Sequence, residues 1–224
     1  MTVADEALAN RTLAAHQPNY VPWLGYLHKA EQADVFVLAD DVQYTKHGYV
    51  NRNRVRTGEG WQWLTVPVRS RGRAGQLIRD TELETDLPWA RKHVQTFEWN
   101  YRDAPFFEEH MPFLRDVFAS QPTHLLELNL QLLKYLLDQL EIDTELRMSS
   151  ELPKRTERSQ RLADMAVACD CTTYLAGDGG SQQYLDEAVL QAAGVEVRFT
   201  TFQHPVYAQC FPGFEAGMCA FDLL

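Results

Sequence analysis

No apolar stretch in this chain approaches the roughly 20 residues that a helix needs to cross a bilayer, which excludes a conventional spanning segment. Cysteine is scarce, with four residues at Cys169, Cys171, Cys210 and Cys219. The Cys-X-Cys pair is too tight for a zinc knuckle, so no metal-ligand set emerges. Positive charge is in deficit: Lys and Arg total 21 against 31 acids, a net charge of −10. That balance argues against nonspecific nucleic-acid binding. Met1-Thr-Val-Ala-Asp-Glu has neither the basic region nor the apolar core of a signal peptide. The expectation is a cytoplasmic protein with reduced thiols and no nucleic-acid or membrane partner. Internal repeats and low-complexity tracts are also missing.

What is present is ordinary globular composition, 45% hydrophobic and 23% charged over 224 residues. Such a length suits one domain, or one domain with a substantial insertion. Residues 1–10 read as a frayed leader. An apolar strand over 12–16, a Pro18/Pro22 turn, a helix over 23–33 and an apolar run over 34–39 make a βαβ unit. Residues 42–50 and 61–68 alternate as strands joined through Thr57-Gly-Glu-Gly60. From 88 to 140 the pattern is helical, opened by Pro88 and punctuated by Pro105, Pro112 and Pro122. The leucine-rich stretch 125–140 reads as a buried core helix. Strand 144–150, helix 157–169, strand 172–176, helix 181–193 and strand 195–199 follow, and 203–224 reads as irregular cover. The fold class this predicts is α/β, a mostly parallel, doubly wound, Rossmann-like sheet with a helical insertion around 88–140.

Candidate site residues gather where strands end, since open α/β sheets place ligands at the carboxyl ends of their strands. His16 and Gln17 close the first strand, and histidine serves as base, phosphate donor or ligand near neutral pH. Asp40 and Asp41 close the next, where a carboxylate could orient His16 or hold a divalent metal. The plainer reading makes one of them a turn cap. Asn19, Tyr20, Gln43, Lys46, Asn51, Arg52 and Asn53 offer amides, a phenol and cations that can read the donor and acceptor pattern of a small polar substrate. Seven basic residues from Lys46 to Arg73 face the single acid Glu59, and this island suits a compact anion at Arg52 and Arg54 or, equally, a solvated hairpin. Gly177, Asp178 and Gly179 follow an apolar strand and precede Ser181, a good N-cap. The turn offers an anion its backbone amides, or simply meets a need for positive φ. It matches neither the dinucleotide fingerprint nor a Walker loop. Ser149 and Ser150 end the preceding strand and could line the same pocket. Cys169 and Cys171 read as buried and inert.

His16-Gln-Pro-Asn-Tyr-Val-Pro-Trp-Leu-Gly-Tyr, Asp41-Val-Gln-Tyr-Thr-Lys, Asn51-Arg-Asn-Arg, Tyr174-Leu-Ala-Gly with Tyr184-Leu185, and Phe221-Asp-Leu-Leu together resemble the WbqC-like family over residues 12–224. That resemblance implies a biosynthetic setting, in surface-polysaccharide or natural-product pathways, and supplies no mechanism. Gly25-Tyr-Leu-His28 followed by Ala33-Asp-Val-Phe-Val is also similar to the first βαβ unit of nucleotidyl-transferring folds such as pantothenate synthetase. The second histidine of that family's motif is missing here, with Glu31 and Gln32 after Lys29.

Three functions are therefore expected in order. The first is an acyl- or aminoacyl-type transferase acting on an amino-sugar or small amine, with His16 as base, Asp40 or Asp41 as its partner, and an anionic small-molecule substrate. The second is Mg/ATP-dependent nucleotidyl transfer. The third is a non-catalytic sugar- or nucleotide-binding accessory protein, with Tyr184 among the contacts in any of them. No cofactor is named by these residues.

Overall fold

A computed structural model describes residues 10–177, 179 and 185–224. Its described residues divide into two compact units. The first takes the residues up to 17, then 25–41 and 141–203; the second takes 18–24, 42–140 and 204–224. Where the sequence suggests one domain with an insertion over 88–140, the second unit is thus larger and draws on three stretches of chain.

The first unit is built on a five-stranded, all-parallel sheet with the order β5-β2-β1-β6-β7. Its strands are β1 (Thr12–His16), β2 (Val35–Leu38), β5 (Glu145–Met148), β6 (Thr173–Gly177) and β7 (Glu196–Thr200). Val35-Phe-Val-Leu38 is buried throughout, the near-continuous apolar pattern of a strand covered on both faces. One face, with Leu13, Val35, Val37, Tyr174 and Ala176, packs on Ala163, Met165 and Ala166 of α5 (Arg158–Ala168) and Leu190 of α6 (Glu187–Ala192). On the other, Phe36 meets Tyr26 of α1 (Leu24–Glu31) edge to face at 5.2 Å. The α/β class expected from the sequence is therefore observed. The strand order reverses between β1 and β6, the place where open α/β sheets form a crevice.

Helix ends are sealed by local chemistry. Asp186 caps α6 by accepting the Ala188 N–H at 3.1 Å. At its far end Gly194, at φ +77°, lets its own N–H reach Gln191 O and that of Val195 reach Leu190 O, the paired bonds of a left-handed C-terminal stop. Helix α5 ends the same way, with Asp170 at φ +53° and bonds from Asp170 to Val167 O and from Cys171 to Ala166 O. Ser181, expected as an N-cap, lies outside the described residues.

The second unit holds the antiparallel hairpin β3 (Arg52–Thr57) and β4 (Gly60–Thr65) and the helices α2 (Trp89–Tyr101), α3 (Phe107–Ala119) and α4 (Leu125–Gln139). The turn at residues 57–60 falls where expected, but its first strand is 52–57 rather than 42–50. Residues 42–50 turn repeatedly instead, with His47 at φ +68° and only an isolated bridge from Gln43 to Leu77. Helix α4 buries Leu125, Leu128, Leu132, Leu133, Leu136 and Leu137 as its leucine pattern predicts. Pro112 does not break the chain; it lies inside α3, where the carbonyl deprived of its N–H belongs to exposed Glu108. The irregular tail is pinned through Asp222, whose carboxylate accepts bonds from Tyr101 Oη, Tyr207 Oη and Gln209 Nε2 at 2.9, 2.8 and 2.6 Å. No described helix is long and apolar enough to cross a membrane.

Candidate functional site

Register brings the carboxyl ends of the first unit's strands to one edge. His16 pairs with Leu38, Leu38 with Met148, and Gly177 with Thr200. Along that edge the chain presents Ser149 and Ser150, Asp40 and Asp41, His16 and Gln17, Gly177, and Thr200. Four of the five strands thus end on, or within two residues of, a polar side chain, and β6 ends on Gly177.

His16 shares the sheet face of Ala14 and Phe36, so its ring packs edge-on against Tyr26 of α1 at 4.7 Å. Its Nδ1 lies 3.1 Å from the Gln17 carbonyl. A carbonyl can only accept, so the ring proton sits on Nδ1 and Nε2 carries the lone pair. Burial first, then the nearby Lys29 ammonium, pushes the imidazole down to about 4. It is therefore neutral at physiological pH. Lys29, itself buried, donates to Ala15 O at 3.0 Å, and burial lowers its ammonium to about 8. The tip of β1 thus pairs a neutral imidazole with a desolvated, still largely protonated amine.

The expected pairing of His16 with an aspartate does not form. Asp40 is buried and its two carboxylate oxygens accept the Ser150 N–H at 2.9 Å and the Ser150 hydroxyl at 2.7 Å. Asp41 accepts the Ser149 hydroxyl at 2.7 Å and Lys154 Nζ at 2.9 Å, and a guanidinium nitrogen of Arg161 bonds both Asp41 and Ser149. Desolvation would raise the Asp41 carboxyl, but the Lys154 and Ser149 hydrogen bonds and Arg161 outweigh it and hold it at about 2. Lys154 also donates to the carbonyls of Ser149 and Leu152, so its three hydrogens are all engaged. A sequence cannot show that Ser149 and Ser150, more than a hundred residues away, would satisfy these carboxylates first. Ser149 and Ser150 line the aspartates.

Gly177 closes β6 and Gly179 is exposed; neither takes the positive φ expected of a tight turn. Asp178 and Tyr184 lie outside the described residues. The other predicted contacts belong to the second unit. Tyr20 is fully buried and its hydroxyl sits 2.7 Å from Nδ1 of buried His93, so it is a core residue rather than a contact. Asn51 and Asn53 also point inward, donating to Val66 O at 2.8 Å and Val21 O at 2.7 Å, and Asn19 is buried. Alternation in β3 explains this: Asn53 and Val55 face the core while Arg52 and Arg54 face outward. Gln43 and Lys46 are exposed, and Arg52 donates to His47 O at 2.6 Å.

The thiols of Cys169 and Cys171 are pushed up by burial, Cys171 to about 12, which fits inert side chains. Lys29, Lys154 and Arg161 escape a reading of the sequence. Lys29 alone leaves a signal there, as a cation set among the buried positions Leu27 and Ala30 of a short amphipathic helix.

The sequence profile of the WbqC-like protein family matches residues 17–224. The chain is 36% identical over 217 residues to "Uncharacterized protein Rv1507c" of Mycobacterium tuberculosis (strain ATCC 25618 / H37Rv), covering 96% of this chain and 93% of that protein. No solved structure matches the chain.

Proposed function

The chain belongs to the WbqC-like protein family, and we propose that it is a transferase of small-molecule biosynthesis working at the carboxyl edge of its parallel sheet. It moves an acyl- or aminoacyl-type group onto an amino-sugar or small amine in a polysaccharide or natural-product pathway. The observation carrying this reading is His16, held neutral with Nε2 unprotonated beside the Lys29 charge.

A base this weak does not deprotonate a free amine. It does suit the adduct formed when an amine has already added to a carbonyl, because the attached N–H is then far more acidic. In this scheme the amine attacks, the carbonyl becomes an oxyanion, and Nε2 takes the nitrogen proton before the leaving group departs. The Lys29 charge favours negative charge developing at the same strand tip. Asp40 and Asp41 hold the edge in shape. Nucleotidyl transfer has less support, since a magnesium ion at Asp41 would meet the charges of Lys154 and Arg161.

The test incubates the protein with acyl thioesters and amino-sugars and follows amide product by mass spectrometry. His16→Ala is expected to lower turnover by about 10²- to 10⁴-fold, the usual contribution of a positioned base. A His16→Ala protein with undiminished turnover rules out the base.

A further inference from the structure

The outward face of the β3–β4 hairpin carries a ladder of arginine and tryptophan. Arg54 pairs with Trp63 and Arg56 with Trp61 in the antiparallel register, so Arg52, Arg54, Arg56, Trp61 and Trp63 share one face. The three guanidinium groups are used differently. Arg56 is buried and fully engaged with the carbonyls of Thr57, Gly60 and Pro212 and with Gln209. Arg52 lies 4.2 Å over the Trp63 ring and donates to His47 O. Arg54 lies 5.0 Å from the Trp61 ring and 5.9 Å from Trp63, and its side chain finds no hydrogen-bond acceptor and no carboxylate among the described residues. Its Nε is shielded from solvent and unpartnered, as is that of Arg52.

The buried Nε costs about 1–3 kcal/mol, while the terminal nitrogens of Arg54 are not buried and, in a chain of net charge −10, are open to an anionic acceptor from outside. The backbone accommodates this guanidinium closely: Gly217 sits at φ +72°, and a Cβ there would fall 2.6 Å from Arg54 Nη2. Beside the free fork, Trp61 leaves 41% of its surface exposed. A planar fork of donors next to an open aromatic face matches a phosphate ester carried on a ring. We infer that Arg54 and Trp61 form a binding site for such a compound, the phosphate held by Arg54 and the ring stacked on Trp61. Arg52 supplies a second positive charge. The inference does not depend on the role proposed for His16.

Calorimetric titration of the whole chain with inorganic phosphate, glucose 1-phosphate, uridine monophosphate, glucose and uridine tests this. At least one of the two esters is expected to bind with Kd of about 1 mM or tighter, and neither neutral compound is. Whichever ester binds better tells sugar phosphate from nucleotide. Arg54→Met should weaken ester binding about tenfold or more, and Arg54→Lys, which keeps the charge without the fork, should fall between. Trp61→Ala should weaken the ester but leave inorganic phosphate unchanged, with circular dichroism checking the fold of each variant. Failure of both esters to bind, or equal binding by Arg54→Met, overturns the site.

Discussion

Replacing Asp41 by Asn removes one charge from a cluster in which two cations remain. The carboxyl lies at about 2 against an ordinary 3.8, which corresponds to about 2 kcal/mol of folded-state stabilisation of the carboxylate. The side chains are mostly buried, at 14% exposure for Asp41, 8% for Lys154 and 18% for Arg161. Leaving two such cations without their partner costs more than the pair itself contributes, so the expected loss at pH 7 is about 3–5 kcal/mol. Because the folded carboxyl is depressed, its contribution is complete above the unfolded value and disappears as pH falls through 2. At pH 3 about half of the 2 kcal/mol remains by linkage. Urea unfolding of the parent and Asp41→Asn at pH 7 and pH 3 should therefore show a gap that narrows in acid. Asp41→Asn combined with Lys154→Met should cost less than the two single changes summed, by about 0.5–3 kcal/mol. A loss below about 1 kcal/mol at pH 7, or strict additivity, would refute the cluster as the force holding these strand ends.

Other expectations follow from neighbouring features. The imidazole of His16 should titrate near 4 by NMR, and Lys29→Met should raise it, though short of 6.5 because burial is the larger cause; no upward movement would remove Lys29 from the site. His93 is also lowered to about 4, chiefly by burial. Both imidazoles are favoured neutral in the fold, so their contribution, on the order of 3 kcal/mol each, is complete above about 6.5 and lost as pH falls towards 4. A urea midpoint that does not fall between pH 7 and 4.5 contradicts this. Asp170→Gly should stabilise the protein by about 0.5–1 kcal/mol by relieving the left-handed conformation at the end of α5, and a lower melting temperature would count against it.

The parallel sheet was legible because its strands are short buried apolar runs whose pattern depends on nothing distant. Val35-Phe-Val-Leu38 and Thr173-Tyr-Leu-Ala-Gly177 read as strands wherever they occur. Strand β3 was not legible, since Arg52-Asn-Arg-Val-Arg-Thr57 looks like a polar loop. Its burial depends on asparagines spending their amides on carbonyls at residues 21 and 66. That His16 and Asp40 lie at or just beyond strand ends followed from their sequence positions alone. The partners did not, because hydrogen bonds such as Ser150 to Asp40 are decided by the sheet order, and a hydroxyl 110 residues away carries no local mark. Lysine and arginine at 154 and 161 have the look of ordinary surface cations for the same reason.

The bonds between Asp40 and Ser150 and between Asp41 and Ser149 span 110 and 108 residues of sequence. They close a loop whose ends the unfolded chain seldom brings together, and the length-dependent part of that closure is about 4 kcal/mol of chain entropy. Strand β5 can join β2 only after this is met, which makes it the expected late arrival in folding. The dependence on length is logarithmic, about 0.6 kcal/mol for each doubling. Residues 42–140 could therefore lengthen or shrink considerably across descendants of this sequence while the two serines and two aspartates still fasten the sheet. The edge that presents His16 is thus also a knot in the chain's connectivity, tolerant of what the intervening hundred residues become and intolerant of losing its own four side chains.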